Sequence, residues 1–204
     1  MISGTKGCAR FAVLLVLLVL LAAPAAAVAA AASPALSIAE LMKMLGSVES
    51  TSARFVETRH SALLKAPLVL RGTLAYRRPD RVEKHVLTPY DERITVAGGR
   101  VTFENRTHSR RKTIAVSGAP GLAALIESIR ATRAGDLPAL ERYYALQIEG
   151  SRERWTLTLK PLDSQIADYV VSLELSGSGV RIGKVTIEET SGDRSVMEIS
   201  EQPG

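Results

Sequence analysis

From Leu68 to Tyr76 apolar and polar residues alternate: Leu68, Leu70, Leu74 and Tyr76 fall on one face of an extended chain. Arg78 continues that face immediately before Pro79, so an apolar strand face ends in an arginine. The same period of two runs through 52–61, 81–87, 92–106 and 111–117 and predicts successive strands. Gly98 and Gly99 in "AGGR" predict a type I′ hairpin, because both can take positive φ. Ahead of these strands the spacing changes. In "LSIAELMKMLGSV", Ile38, Leu41, Met42 and Leu45 share a helical face, Ser37 and Glu40 have the spacing of a capping box, and Gly46 can end the helix.

After the strands the period breaks again. "GLAALIESIRATRAGDLPALERYYAL" predicts one helix over 120–132 and a short one over 137–143, with Gly135 between them and Pro138 near the second start. Strands are then predicted at 144–151, 154–162, 168–177, 180–190 and 195–200, separated by "GS", "GSG" and "SGD" turns. Connections this short make consecutive strands antiparallel neighbours. The pattern therefore predicts an α+β domain: a large antiparallel sheet that curls towards a barrel and buries one face under the first helix and the central pair. Leu122, Leu125, Ile126 and Ile129 form an apolar stripe on the first central helix. That stripe is either a permanent cap on a core or a movable lid over an apolar cavity. Every face assignment depends on register, since a slip of one residue inverts it.

The N-terminus stands outside this domain. Lys6 and Arg10 precede the short apolar run "FAVLLVLLVLLAA", and "PAAAVAAAASP" offers small-residue cleavage sites after Ala27, Ala30 or Ala32, of which Ala32 is preferred. This is the pattern of a Sec-type signal peptide over 1–32, with an uncleaved anchor as the alternative. The only cysteine, Cys8, precedes the apolar run and does not fit a lipobox, so the exported domain at 33–204 is expected to be cysteine-free and held by its core alone. Loss of Lys6 and Arg10 lowers 26 basic residues to 24 against 21 acids. A net charge near +3 is too small to argue for nucleic acid as a partner.

Catalytic patterns are absent from the sequence: there is no G-x-S-x-G, H-E-x-x-H, C-x-x-C or P-loop, and an enzyme acting on lipid or glycan has no nucleophile, base or metal set to rest on. His60, His85 and His108 lie on different predicted strands without metal-ligand spacing and read as surface or rim residues. No cofactor or metal is expected. "GSGVRIG" reads as a hairpin turn, and "NRT" at Asn105 is a sequon only in a eukaryotic secretory pathway. The basic run "RTHSRRKT" could meet anionic lipid head groups or an acidic partner; the plainer reading is a solvated hairpin edge whose charges discourage edge pairing. Trp155 reads as core.

Certain residues in this order resemble a known family. The "F-x-x-T" of Phe55 to Thr58, the "G-x-L-x-Y" of Gly72 to Tyr76 leading into Arg78-Pro79, and the "W-x-L-x-L-x-P" of Trp155 to Pro161 are together similar to the LolA family of periplasmic outer-membrane lipoprotein carriers. The likeness covers essentially the whole chain after the leader. It implies an unclosed half-barrel wrapped around a helical lid, with acyl chains held beneath. It also implies a monomeric, non-enzymatic periplasmic carrier of lipoproteins, or of a related lipid or glycolipid, that meets an inner-membrane transporter and an outer-membrane acceptor transiently. Arg78 matches by position the arginine that latches the lid of the empty carrier. The ligand-facing residues implied are Phe55, Leu68, Leu70, Leu74 and Tyr76 on the sheet and Leu122, Leu125, Ile126 and Ile129 on the lid. Two departures modify the expectation. Val82, Glu83 and Lys84 stand where the family often carries aromatics, and "EISEQPG" lacks the longer C-terminal segment associated with handover, which points to a divergent member. A lipid- or protein-sensing regulatory module of the same fold is the alternative reading.

Overall fold

The computed structural model describes residues 35–115 and 130–201, and all of them belong to one unit, Ser33–Gly204. The expected leader and the stripe at Leu122, Leu125, Ile126 and Ile129 lie outside the described residues. Helix α1 (Ile38–Leu45) is framed as its sequence predicts: the Ser37 hydroxyl accepts from the Glu40 amide, and the Glu40 carboxylate accepts from the Ser37 amide. Leu41, Met42 and Leu45 are buried.

Six strands follow: β1 (Ser50–His60), β2 (Leu68–Arg77), β3 (Arg81–Thr88), β4 (Glu92–Ala97), β5 (Arg100–Asn105) and β6 (Arg110–Ala115). Residues 130–134 are helical, α2 spans Leu137–Glu141, and β7 (Tyr144–Ser151) and β8 (Arg154–Pro161) come next. A four-residue helix, α3 (Ser164–Ala167), capped by Asp163, precedes β9 (Val170–Ser178), β10 (Arg181–Glu189) and β11 (Arg194–Glu201). The sequence reading did not anticipate α3, since four residues are too few to show a helical period.

All eleven strands form one antiparallel sheet in the order β6-β5-β4-β3-β2-β1-β11-β10-β9-β8-β7. The two meanders are fused through β1 and β11, from Ala53 opposite Glu201 to His60 opposite Arg194. Strands β6 and β7 are the two ends of the sheet and do not pair, so it is an unclosed barrel. The basic run thus lies on an edge strand, where exposed Arg110, Arg111 and Lys112 oppose pairing with another sheet.

Among the described residues the buried apolar side chains form two clusters. Over β7–β10, α1 and Ala131 pack with Tyr144, Trp155, Leu157, Leu159, Leu173 and Leu175 into a continuous core. Trp155 is 1% exposed and donates its Nε1–H to the Gly179 carbonyl at 3.0 Å. Over β1–β3 the buried cluster among the described residues is only Phe55, Leu70 and Val86, with Leu68, Leu74, Tyr90, Met197 and Ile199 partly buried around it.

The helices meet at two glycines. Gly135, at φ +70°, closes residues 130–134 with a Schellman arrangement: its amide bonds to the Thr132 carbonyl and the Asp136 amide to the Ala131 carbonyl. A Cβ on Gly135 would lie 2.2 Å from the Met42 carbonyl oxygen and 2.9 Å from the Cα of Gly46, so the crossing needs both a left-handed residue and no side chain. Gly135→Ala is expected to cost about 3 kcal/mol, from φ strain plus backbone overlap. Gly98→Ala, also at positive φ but in open space, is expected to cost about 1 kcal/mol. Urea denaturation of the two variants checks the difference; equal losses would show that the crossing is not tight.

Candidate functional site

The expected register of β2 holds. Leu68, Leu70, Leu74 and Tyr76 share the inner face of the sheet with Phe55 from β1: Leu70 and Phe55 are buried, Tyr76 is 5% exposed, and Leu68 and Leu74 are half-buried. Lateral pairing extends this face into rows. Tyr76 lies opposite Val82, Val82 opposite Val96, Val96 opposite Val101, and Val101 opposite Ile114. The next row runs Leu74, Lys84, Ile94, Phe103 and Lys112. Gly72, opposite Phe55, has no room for a side chain: a Cβ there would lie 1.9 Å from the His85 carbonyl oxygen and 2.9 Å from Phe55 Cε1. The Tyr76 hydroxyl is buried on this face and has no hydrogen-bond partner among the described residues.

Arg78 stands one residue past β2 and is exposed at the rim of the sheet, although it continues the apolar face by period. It nevertheless reaches both helix ends. One Nη2 donates to the Gly46 carbonyl at 2.5 Å, at the C-cap of α1, and to the Ala134 carbonyl at 3.4 Å. Its backbone amide donates to the Glu49 carbonyl at 2.9 Å. The last carbonyls of a helix lack partners within the helix and carry the negative end of its dipole, so a cation placed between two such ends serves both.

A charged group that the sequence reading missed sits inside the same face. The Glu57 side chain, 3% exposed, accepts from Arg59 Nε at 2.7 Å, from Ser195 Oγ at 2.7 Å, and from Lys84 Nζ. Lys84 in turn lies 5.1 Å from the Phe55 ring centroid, over its face. Burial pushes the Glu57 carboxyl up, but the Lys84 charge and the three donors outweigh it and hold the group below its ordinary value. Burial pulls the Lys84 ammonium below the ordinary lysine range, with the Glu57 charge and hydrogen bond opposing that shift. The signal was present in the sequence, since Glu57 and Lys84 both fall at inward positions of their strands.

Breaking this pair on one side is costly while removing both halves is not. Glu57→Gln is expected to cost about 3 kcal/mol, and Glu57→Leu with Lys84→Met to return within about 1 kcal/mol of the parent. Because the folded carboxyl is held below its unfolded value of about 4.3, its stabilisation is complete above that range and is lost as pH falls through the lowered value. The gap between the parent and Glu57→Gln, read by urea denaturation, should therefore narrow below about pH 4. A double variant as unstable as the single one would contradict the pairing.

The histidines do not converge. His60 and His108 are exposed, whereas His85 is more enclosed than expected, with its side chain 13% exposed, Nε2 at 2.8 Å from Asp91 Oδ1, and Nδ1 at 3.1 Å from Arg93. Among the described residues no group of three or more His, Cys, Asp or Glu is placed to hold a metal, and no helix is long and apolar enough to cross a membrane.

An unclosed antiparallel sheet of eleven strands with a few helices packed on it is a LolA-like fold. The family model described as "Outer membrane lipoprotein carrier protein LolA-like" matches residues 29–197, and the chain belongs to that family. Among curated proteins none matches the chain in sequence. Similar solved structures include a LolA superfamily protein from Nitrosomonas europaea, at 11% identity over 81% of this chain and 92% of that one, with a TM-score of 0.44. A putative outer membrane lipoprotein-sorting protein domain from Vibrio parahaemolyticus is similar at 9% identity over 82% and 92%, with a TM-score of 0.46. The MucA/MucB complex of Pseudomonas aeruginosa contains a chain similar at 14% identity over 82% of this chain and 58% of that one, with a TM-score of 0.40.

Proposed function

We propose that the protein is a non-enzymatic periplasmic carrier that binds the acyl chains of lipoproteins, or of a related lipid or glycolipid, and moves them from the inner to the outer membrane. The observation that supports this most is the apolar inner face of β1–β5, where Phe55, Leu70, Tyr76 and Val101 are buried beside half-buried Leu68 and Leu74, while α1 and Ala131 pack over β7–β10. In this reading the acyl chain lies along Phe55, Leu68, Leu70, Leu74 and Tyr76, and the Tyr76 hydroxyl, unpartnered among the described residues, meets an ester or amide carbonyl of the cargo.

Arg78 then acts as the latch between sheet and helices. Each buried methylene contributes about 0.8 kcal/mol, so one long chain offers about 10 kcal/mol gross. A carrier that retained all of that could not release its cargo. Bonds that must break for the chain to enter lower net affinity and keep transfer reversible. Because Arg78 is exposed, the latch is worth the net value of hydrogen bonds from a charged donor, about 1.5–3 kcal/mol, rather than the desolvation cost of a buried ion.

The test is displacement of a hydrophobic fluorescent probe by an acylated lipopeptide, together with mass spectrometry of organic extracts of the periplasmic protein. Competitive displacement and co-purifying acyl species are expected. No probe binding and an empty extract would instead favour a protein-binding regulatory module. Arg78→Leu is expected to release bound lipopeptide about 10- to 100-fold more slowly, the equivalent of the bond energy above. Release at the parent rate would remove Arg78 from the latch while leaving the carrier reading intact.

A further inference from the structure

The loop between β1 and β2 presents leucines to water. Leu63 is 94% exposed and Leu64 42%, and Val69 and Leu87, beside it on β2 and β3, are 42% and 50% exposed. Ser61 fixes the turn: its carbonyl accepts from the Leu64 amide at 3.1 Å and its hydroxyl from the Leu63 amide at 3.3 Å. The leucines are therefore held outward by a built turn. An exposed apolar tip is unfavourable in water unless something covers it.

The charge around the tip indicates what covers it. The chain from Thr58 to Leu74 contains no acid and carries Arg59, His60, Lys65 and Arg71, whereas Arg77 and Arg78 lie at the far end of β2, on the opposite rim. The run from Arg106 to Ala115 is likewise acid-free. Its turn between β5 and β6 lies on the same rim as the β1–β2 loop, because both follow strand ends on that side of the sheet. Four strand spacings separate the two turns, about 19 Å along the sheet. The loop between them, at 89–91, carries Asp91, whose carboxylate is engaged by His85 and whose backbone bonds to the Arg106 amide. Acids gather under the other half of the rim, with Asp163, Asp168, Glu188, Glu189 and Asp193 beneath β8–β11 and Arg194 paired to Glu188. The rim is thus polarised: under β1–β6 the acids Asp91, Glu92 and Glu104 are engaged by His85, Asn105 and Arg111 beside the basic and apolar loops, and the acidic turns lie beyond β1.

We propose that this half of the rim docks on an anionic lipid bilayer, with Leu63 and Leu64 inserted at the head-group level and Lys65, Arg106 and Arg110 against the phosphates. The combination of apolar insertion with surrounding cations is what an anionic bilayer recognises, since neither alone gives stable attachment. The inference goes beyond the carrier reading and does not depend on acyl binding.

Co-sedimentation of the protein with phosphatidylglycerol-containing and pure phosphatidylcholine vesicles tests it, with displacement of the hydrophobic probe by lipopeptide measured in parallel. Binding to the anionic vesicles is expected to be at least about tenfold tighter and to collapse in high salt. Leu63→Asp with Leu64→Asp, and separately Arg106→Glu with Arg110→Glu, should each weaken it about tenfold while leaving probe displacement unchanged. Equal binding to both vesicle types, or parent-like vesicle binding by the leucine variant, would overturn the proposal. So would absence of vesicle binding with capture of a membrane protein through the same loop, which would make the surface a receptor contact. Failure of probe displacement with vesicle binding intact would count against the carrier reading alone.

Discussion

Two helix C-termini of this protein end at one place, and what the structure can do depends on how that place is held together. Gly46 and Gly135 approach so closely that neither has room for a Cβ without moving a backbone. Like ends of helices repel, because each presents unpaired carbonyls and partial negative charge. The guanidinium of Arg78 offsets this by bonding to the carbonyls of Gly46 and Ala134, and it is carried there by the last residues of β2. The joint ties the helices to the strand whose inner face carries Leu70, Leu74 and Tyr76, so the helix ends and the candidate binding face are mechanically adjacent.

The remainder of the architecture divides the labour around that joint. Over β7–β10 the burial of Leu41, Met42, Leu45 and Ala131 fixes α1 and the end of the following helix against Trp155 and its neighbours. Over β1–β6 the inner face is apolar but interrupted by the Glu57, Lys84, Arg59 and Ser195 cluster, which is fully hydrogen-bonded at the carboxylate. A satisfied polar group in an otherwise apolar surface sets register and shape more than it adds stability.

Much of this was legible from the order of residues. The capping box of α1, the Gly98–Gly99 hairpin and the inward set of β2 follow from local periods and turn chemistry, and each forms as read. Arg78 was legible as an exception to its strand face, but its exposure was not, since alternation gives a face and no depth. The fusion of the meanders through β1 and β11 joins residues from opposite ends of the chain and leaves no local trace. Glu57 and Lys84 broke the inward pattern one residue type at a time, and only the strand pairing shows that the two exceptions answer each other. The short helix α3 and the Gly46–Gly135 contact are likewise products of packing.

The central claim is that cargo enters by opening the joint that Arg78 closes. Hydrogen–deuterium exchange of the backbone amides, with and without a bound acylated lipopeptide, tests it most directly. The account predicts faster exchange at Gly135, Asp136 and helical residues 131–134 in the loaded protein, with the amides of β8 and β9 unchanged. Saturating lipopeptide that leaves the Gly135 and Asp136 amides as protected as in the empty protein would contradict it.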